Sequence, residues 1–193
     1  MTVDCFALLG EPRRPWLDPE AVKETFHRLS RTEHPDQAAA EADADFARLN
    51  TAQATLRDPK LRLRHLLELE CPEVKLAGPS NVPAGLADRF VSVHGLLRET
   101  DTLLAKKAGA SSALAKALLA REEHAAREKL EAALEELGTL LEAAEGELQG
   151  FDALWTAARP PDAATTLLGL YQRFSYLSRW TEQGRERLFQ LGM

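Results

Sequence analysis

The chain has 193 residues, 45% hydrophobic and 28% charged, enough apolar material for one large domain or two small ones. Its 24 Lys and Arg against 30 Asp and Glu leave a net charge of −6, which argues against nucleic acid as a partner, since that needs clustered cations to displace counterions. No apolar run approaches the ~18 residues that cross a bilayer, and Met1-Thr2-Val3-Asp4 lacks a basic or apolar leader, so no membrane partner and a cytoplasmic location are expected.

Aromatic residues make up only 6%, and Ala, Leu, Glu and Arg dominate, which favours helices over sheets and predicts an all-α fold. Cys5 and Cys71 form no C-x-x-C pair. No metal or other cofactor is expected, and both thiols read as small apolar side chains.

The first segment, Asp4 to Pro12, offers Phe6, Leu8 and Leu9 to a core and closes on Gly10 and Pro12, as a turn or single short helix would. Asp18-Pro19 then starts a helix: the carboxylate can cap, and Pro at the first helical position loses no useful N–H. Val22, Phe26 and Leu29 recur at spacings of four and three, giving that helix one apolar stripe. It should stop at about His34, because Pro35 biases its predecessor away from the α region.

A second helix from about Ala40 to Arg57 carries Ala42, Phe46, Leu49 and Leu56, with Ala52 allowing close approach. The short connection favours an antiparallel hairpin in which Phe26 and Leu29 pack on Phe46 and Leu49, with His34-Pro35-Asp36 at its tip. Asp58-Pro59 interrupts the second helix, after which Leu61, His65, Leu66 and Leu69 predict a further turn or two. Residues 72–85 have Pro and Gly without periodicity, the composition of a linker, so residues 1–71 and 86–193 are expected as separate domains.

Beyond the linker, Leu86, Phe90, Val93, Leu97 and Leu104 predict a helix ending near Gly109. Residues 112–148 follow as a long helix with Ala126, Leu130, Ala133, Leu137, Leu140 and Ala144 on one stripe and most glutamates off it. Gly146 and Gly150 should weaken its end, and Pro160-Pro161 should stop the short segment carrying Phe151, Leu154 and Trp155. A last helix from Asp162 presents Leu167, Leu170, Phe174, Leu177, Leu188 and Leu191, and three antiparallel helices are the simplest packing.

Residues 4–70 resemble a J-domain, and more narrowly that of the HscB/Jac-type co-chaperones of iron-sulfur cluster assembly. The resemblance rests on Asp4, Phe6, Leu8, Gly10 and Pro12, on Leu17-Asp18, Phe26, Leu29 and His34-Pro35-Asp36, and on Asn50, Ala52, Leu56, Pro59, Arg62, Leu66, Leu67 and Leu69. In the second domain Phe90, Leu97-Arg98-Glu99 and Phe174-Ser175-Tyr176-Leu177 fall where the family has its three-helix client-binding bundle.

This resemblance implies a co-chaperone that docks on a DnaK-type chaperone of the heat shock protein 70 family and accelerates its ATP hydrolysis, with His34, Pro35 and Asp36 making the differential contact. Lys23, His27, Arg28 and Arg31 would steer the encounter; Lys23, His27 and Arg31 are four residues apart and share a face turned from Phe26 and Leu29. A protein client, most simply an iron-sulfur scaffold, would be held through Phe90, Val91, His94, Leu97, Arg98 and Phe174. Residues 90–99 carry no Met and no acidic residue ahead of Leu97-Arg98-Glu99. A different client or a regulatory role therefore stays open, as does a structural helical protein whose loop engages no chaperone. An enzyme is not expected: there is no Gly-rich phosphate loop, H-E-x-x-H or G-x-S-x-G, and His65, His94 and His124 read as packing or surface residues.

Overall fold

A computed structural model describes residues 3–32, 39–76, 82–83, 85–157, 160 and 162–192. All regular structure among them is helical: α1 (Cys5–Leu9), α2 (Pro19–Thr32), α3 (Ala39–Arg57), α4 (Pro59–Glu70), α5 (Ala87–Gly109), α6 (Ala113–Ala157) and α7 (Ala163–Gly192). They group into two compact units, one of Met1–Gly78 with Glu145–Tyr171, the other of Pro79–Ala144 with Gln172–Met193.

In the first unit the helix starts are written locally. The Asp4 carboxylate accepts from the Phe6 and Ala7 N–H groups at 3.0 and 3.2 Å, while Gly10 takes the left-handed φ of +66° that ends α1 after barely more than one turn. Asp18 and Asp58 repeat the capping device, accepting from Glu20 and Leu61 with Pro19 and Pro59 next in sequence. The helix α3 packs against α1, α2 and α4. Leu49, Ala52 and Leu56 are fully buried on it, and the rings of Phe26 and Phe46 lie 6.2 Å apart although Phe46 stays 42% exposed at the hairpin's margin.

Arg62 is buried in this core. Its Nε donates to the Pro15 carbonyl at 2.8 Å and its Nη1 to the Leu56 carbonyl at 2.6 Å, so the guanidinium closes the C-terminal turn of α3 onto the segment entering α2. Desolvation lowers its pKa to about 10, against the pull of Glu145, Asp58 and Asp152, and it remains a cation at neutral pH.

Glu145–Tyr171, which the sequence pattern assigns to the C-terminal domain, clusters with the N-terminal residues. The reason is chemical. Asp152, 2% exposed, accepts from the Trp16 N–H at 3.1 Å and is gripped by the Arg14 guanidinium, whose Nε lies 3.0 Å from both carboxylate oxygens. One turn on, the Trp155 indole N–H donates to the Arg13 carbonyl at 3.1 Å. The same burial carries α6 unbroken through Gly146 and Gly150, where a weakened helix end is expected: burying Leu148, Phe151 and Trp155 outweighs the roughly 1 kcal/mol that each helical Gly costs.

The core of the second unit joins α5, α6 and the later part of α7. Leu97, Leu103, Leu130, Leu137, Leu177 and Trp180 are among its buried members, with Phe90 partly buried at its edge. Arg187 on α7 pairs with Asp101 on α5 at 3.0 Å, and Lys107 donates to the Leu191 carbonyl at 3.1 Å, tying the helix ends together.

Candidate functional site

The helix α2 is amphipathic in the sense that its sequence requires. Val22 and Phe26 are buried, while His27, Arg28 and Arg31 face solvent and Lys23 is half-buried, paired with Glu20 at 2.9 Å. His27, Arg28 and Arg31, joined by Glu24, line an open depression of about 530 Å³. On a chain with a net charge of −6 this is a local concentration of cations and donors, and Arg31 in the last turn also complements the helix dipole. Glu24 is the member that periodicity alone does not single out. His34, Pro35 and Asp36, separated from α2 in sequence by Glu33, lie outside the described residues.

The client-binding candidates do not form one surface. Leu97 and Phe174 are core residues, 4% and 3% exposed, and their side chains already have neighbours inside the fold. Phe90 is half-buried, its ring 4.6 Å from that of His94 and 6.2 Å from that of Trp180. Val91, His94 and Arg98 face solvent, Val91 at 70%. The helical spacing that suggests Leu97 and Phe174 as contact residues is also the spacing that buries them.

Among the other histidines, His124 is exposed and lies 3.5 Å from Glu128, and His65 is buried among α1, α3 and α4. Trp155 and Trp180 are buried as well. Among the described residues no cluster of His, Cys, Asp or Glu is placed to hold a metal ion, and no helix is long and apolar enough to cross a membrane.

A short capped helix packed on α3, a hairpin whose first helix bears an exposed basic face, a fourth helix started by Asp58-Pro59 and three longer helices make the fold all-α among the described residues. Among solved structures it is similar to the chaperone HscB from Vibrio cholerae, with a TM-score of 0.54 and 18% identity over 98% of this chain and 99% of that one, a likeness of fold. In sequence it is 32% identical, over 88 residues, to the co-chaperone protein HscB homolog of Chromobacterium violaceum, a match covering 42% of this chain and 50% of that protein. The chain thus spans about half the length of the curated relatives it matches. No family model matches it. The chain is thus similar to HscB-type co-chaperones, in sequence over part of its length and in fold over nearly all of it.

Proposed function

We propose that this chain is a J-domain co-chaperone that stimulates ATP hydrolysis by a DnaK-type chaperone of the heat shock protein 70 family and brings it a protein client. The observation that supports this reading is the exposed basic face of α2, His27, Arg28 and Arg31, with His34-Pro35-Asp36 next but one after the helix in sequence. A co-chaperone of this kind performs no covalent chemistry. It acts through a coupling free energy, binding more tightly to the chaperone conformation that is competent to hydrolyse ATP. The basic face raises the rate of encounter with an acidic surface. Asp36 suits a charge-assisted pairing with an arginine of the partner, and Pro35 limits the loop entropy lost on docking.

The test is ATPase stimulation of a cognate DnaK-type chaperone by the wild type and by His34→Gln. Stimulation by the first and none by the second is expected; no stimulation by the wild type at saturating concentration would overturn the reading. For the client, the resemblance supports an iron-sulfur cluster scaffold, met in the cytoplasm. The burial of Leu97 and Phe174 favours a second reading, in which another client is held through Val91, His94 and Arg98. Calorimetry with a scaffold protein and the full chain separates the two, because Val91→Asp should abolish binding under the first and no wild-type binding should occur under the second. The full chain is required, since residues 145–171 pack with the N-terminal unit.

A further inference from the structure

His65 occupies an unusual place for a histidine. It is 4% exposed, its ring lies parallel to that of Phe6 with centroids 5.7 Å apart, and its Nε2 accepts the backbone N–H of Cys5 at 3.0 Å. That N–H is the first orphan donor of α1, and the next two are held by Asp4, so the start of the helix is fully satisfied only while Nε2 keeps its lone pair. The same Nε2 is 4.0 Å from Oδ1 of Asp4, the oxygen that caps the helix. A second partner, open to the ring once Nε2 carries a proton, is therefore already beside the first.

We propose that this contact is an acid-sensitive latch: neutral His65 holds the first turn of α1 against α4, and a protonated His65 turns from the Cys5 amide to the Asp4 carboxylate and draws the cap off the helix. On protonation Nε2 becomes a donor facing a donor, so the bond to Cys5 is lost outright. The imidazolium then competes with the Phe6 and Ala7 amides for Asp4.

The surroundings fit a device of this kind. Above the ring, Asp4 is also bound by Arg13 at 2.6 Å, and Arg13 reaches on to Glu70 of α4 at 2.9 Å. Along α4, Arg64 and Glu68 flank His65 and pair with each other at 2.9 Å. Among the described residues, α3 lines a depression beside the ring with the uncharged Thr51 and Thr55, and α1 with the thiol of Cys5. Cys5, Thr51, Thr55, Arg64, His65 and Glu68 line this open depression of about 330 Å³ with Val3 and Leu61, and through it solvent protons reach the ring. Burial holds the imidazole pKa below its ordinary value, against Asp4 and Glu68, so the latch is shut at neutral pH. For Asp4, burial raises the pKa but the Arg13 hydrogen bond and the Ala7 and Phe6 amides outweigh it, holding the carboxyl below its ordinary value. Since α1 packs on α2 and α3, opening it loosens the support of the basic face. Weaker chaperone docking in mild acid follows, and that consequence alone rests on the function proposed above.

The experiment is amide hydrogen exchange on the full chain between about pH 7.5 and 4.5, expressed as protection relative to intrinsic rates, with α7 as internal reference, and no chaperone present. In the wild type, protection at Cys5, Phe6 and Ala7 should fall about tenfold as His65 takes up its proton, the loss of one buried hydrogen bond to a newly charged group. In His65→Gln, whose amide oxygen accepts at every pH, it should stay level. The His65 ring is followed in parallel by nuclear magnetic resonance in the wild type, so the result does not depend on the variant folding. Level protection in the wild type, or a fall that does not track the ring's titration, would overturn the latch.

Discussion

Removing the Asp152 carboxylate should destabilise the first unit strongly. The side chain is 3% exposed and accepts from the Trp16 amide and from two nitrogens of Arg14, whose own side chain is 34% exposed. In Asp152→Ala the Trp16 N–H loses its acceptor, which costs about 1–3 kcal/mol for a buried amide. Arg14 loses its counter-charge; breaking a fully buried pair costs about 3–5 kcal/mol, and the third of Arg14 that meets water places this site at the lower end. A total of about 4–6 kcal/mol follows, and with an m-value of roughly 2–3 kcal/mol/M the urea midpoint should fall by about 1.3–3 M. Asp152→Asn keeps an oxygen for Trp16 and should cost about half as much. In a cycle with Arg14→Met the coupling should exceed about 1 kcal/mol. A midpoint for Asp152→Ala within about 0.2 M of the wild type, or additive Arg14 and Asp152 effects, would refute this account of why residues 145–171 pack with the N-terminal unit.

Arg62→Met should destabilise by about 2–4 kcal/mol through the unpaired Pro15 and Leu56 carbonyls, and Arg62→Lys should recover little, since one ammonium does not reproduce the divergent guanidinium donors; urea unfolding of both variants checks this. Gly146→Ala and Gly150→Ala should each raise stability by about 0.5–1 kcal/mol, because a Cβ at either position meets nothing within 4 Å and the unfolded chain loses freedom; calorimetric melting reads the gain. Charge reversal at Arg28 and Arg31 should lower the association rate with the chaperone at low salt, with the difference shrinking as salt is added, in stopped-flow binding. For His65 the folded pKa lies below the unfolded value of about 6.5, so its contribution to stability is complete above that pH and is lost as pH falls through the folded pKa. Denaturant midpoints across this range should slope in the wild type and flatten in His65→Gln.

What the chain discloses in one dimension depends on how far apart the interacting groups lie. Helix starts at Asp18-Pro19 and Asp58-Pro59 are legible because cap and capped amide are two or three residues apart. The hairpin of α2 and α3 is legible because a short loop joins two apolar stripes. Asp152 is not: it sits in a helix rich in acids, and its partners Arg14 and Trp16 are 138 and 136 residues away. Gly146 and Gly150 mislead for the same reason, since the packing that overrides their propensity comes from the other end of the sequence. Leu97 and Phe174 show a different limit. Periodicity identifies an apolar face, yet it does not distinguish a face turned to the core from one offered to a client, and here both residues are buried. For His65 the pattern leaves packing and surface positions both open, and its burial and its role as acceptor for Cys5 need the two helices placed side by side.

The placement of the three tryptophans gives the chain its own optical readout. Trp16 and Trp155 belong to the first unit and Trp180 to the second. Trp155 donates its indole N–H to a backbone carbonyl, whereas Trp180 sits between the rings of Phe90 and Tyr176 at 6.2 and 5.5 Å. A variant keeping Trp180 alone therefore reports the melting of the second unit by emission, and one keeping Trp155 alone reports the first. Comparing the two curves, with no label attached, tells whether a helix whose residues are divided between both units lets either of them unfold by itself.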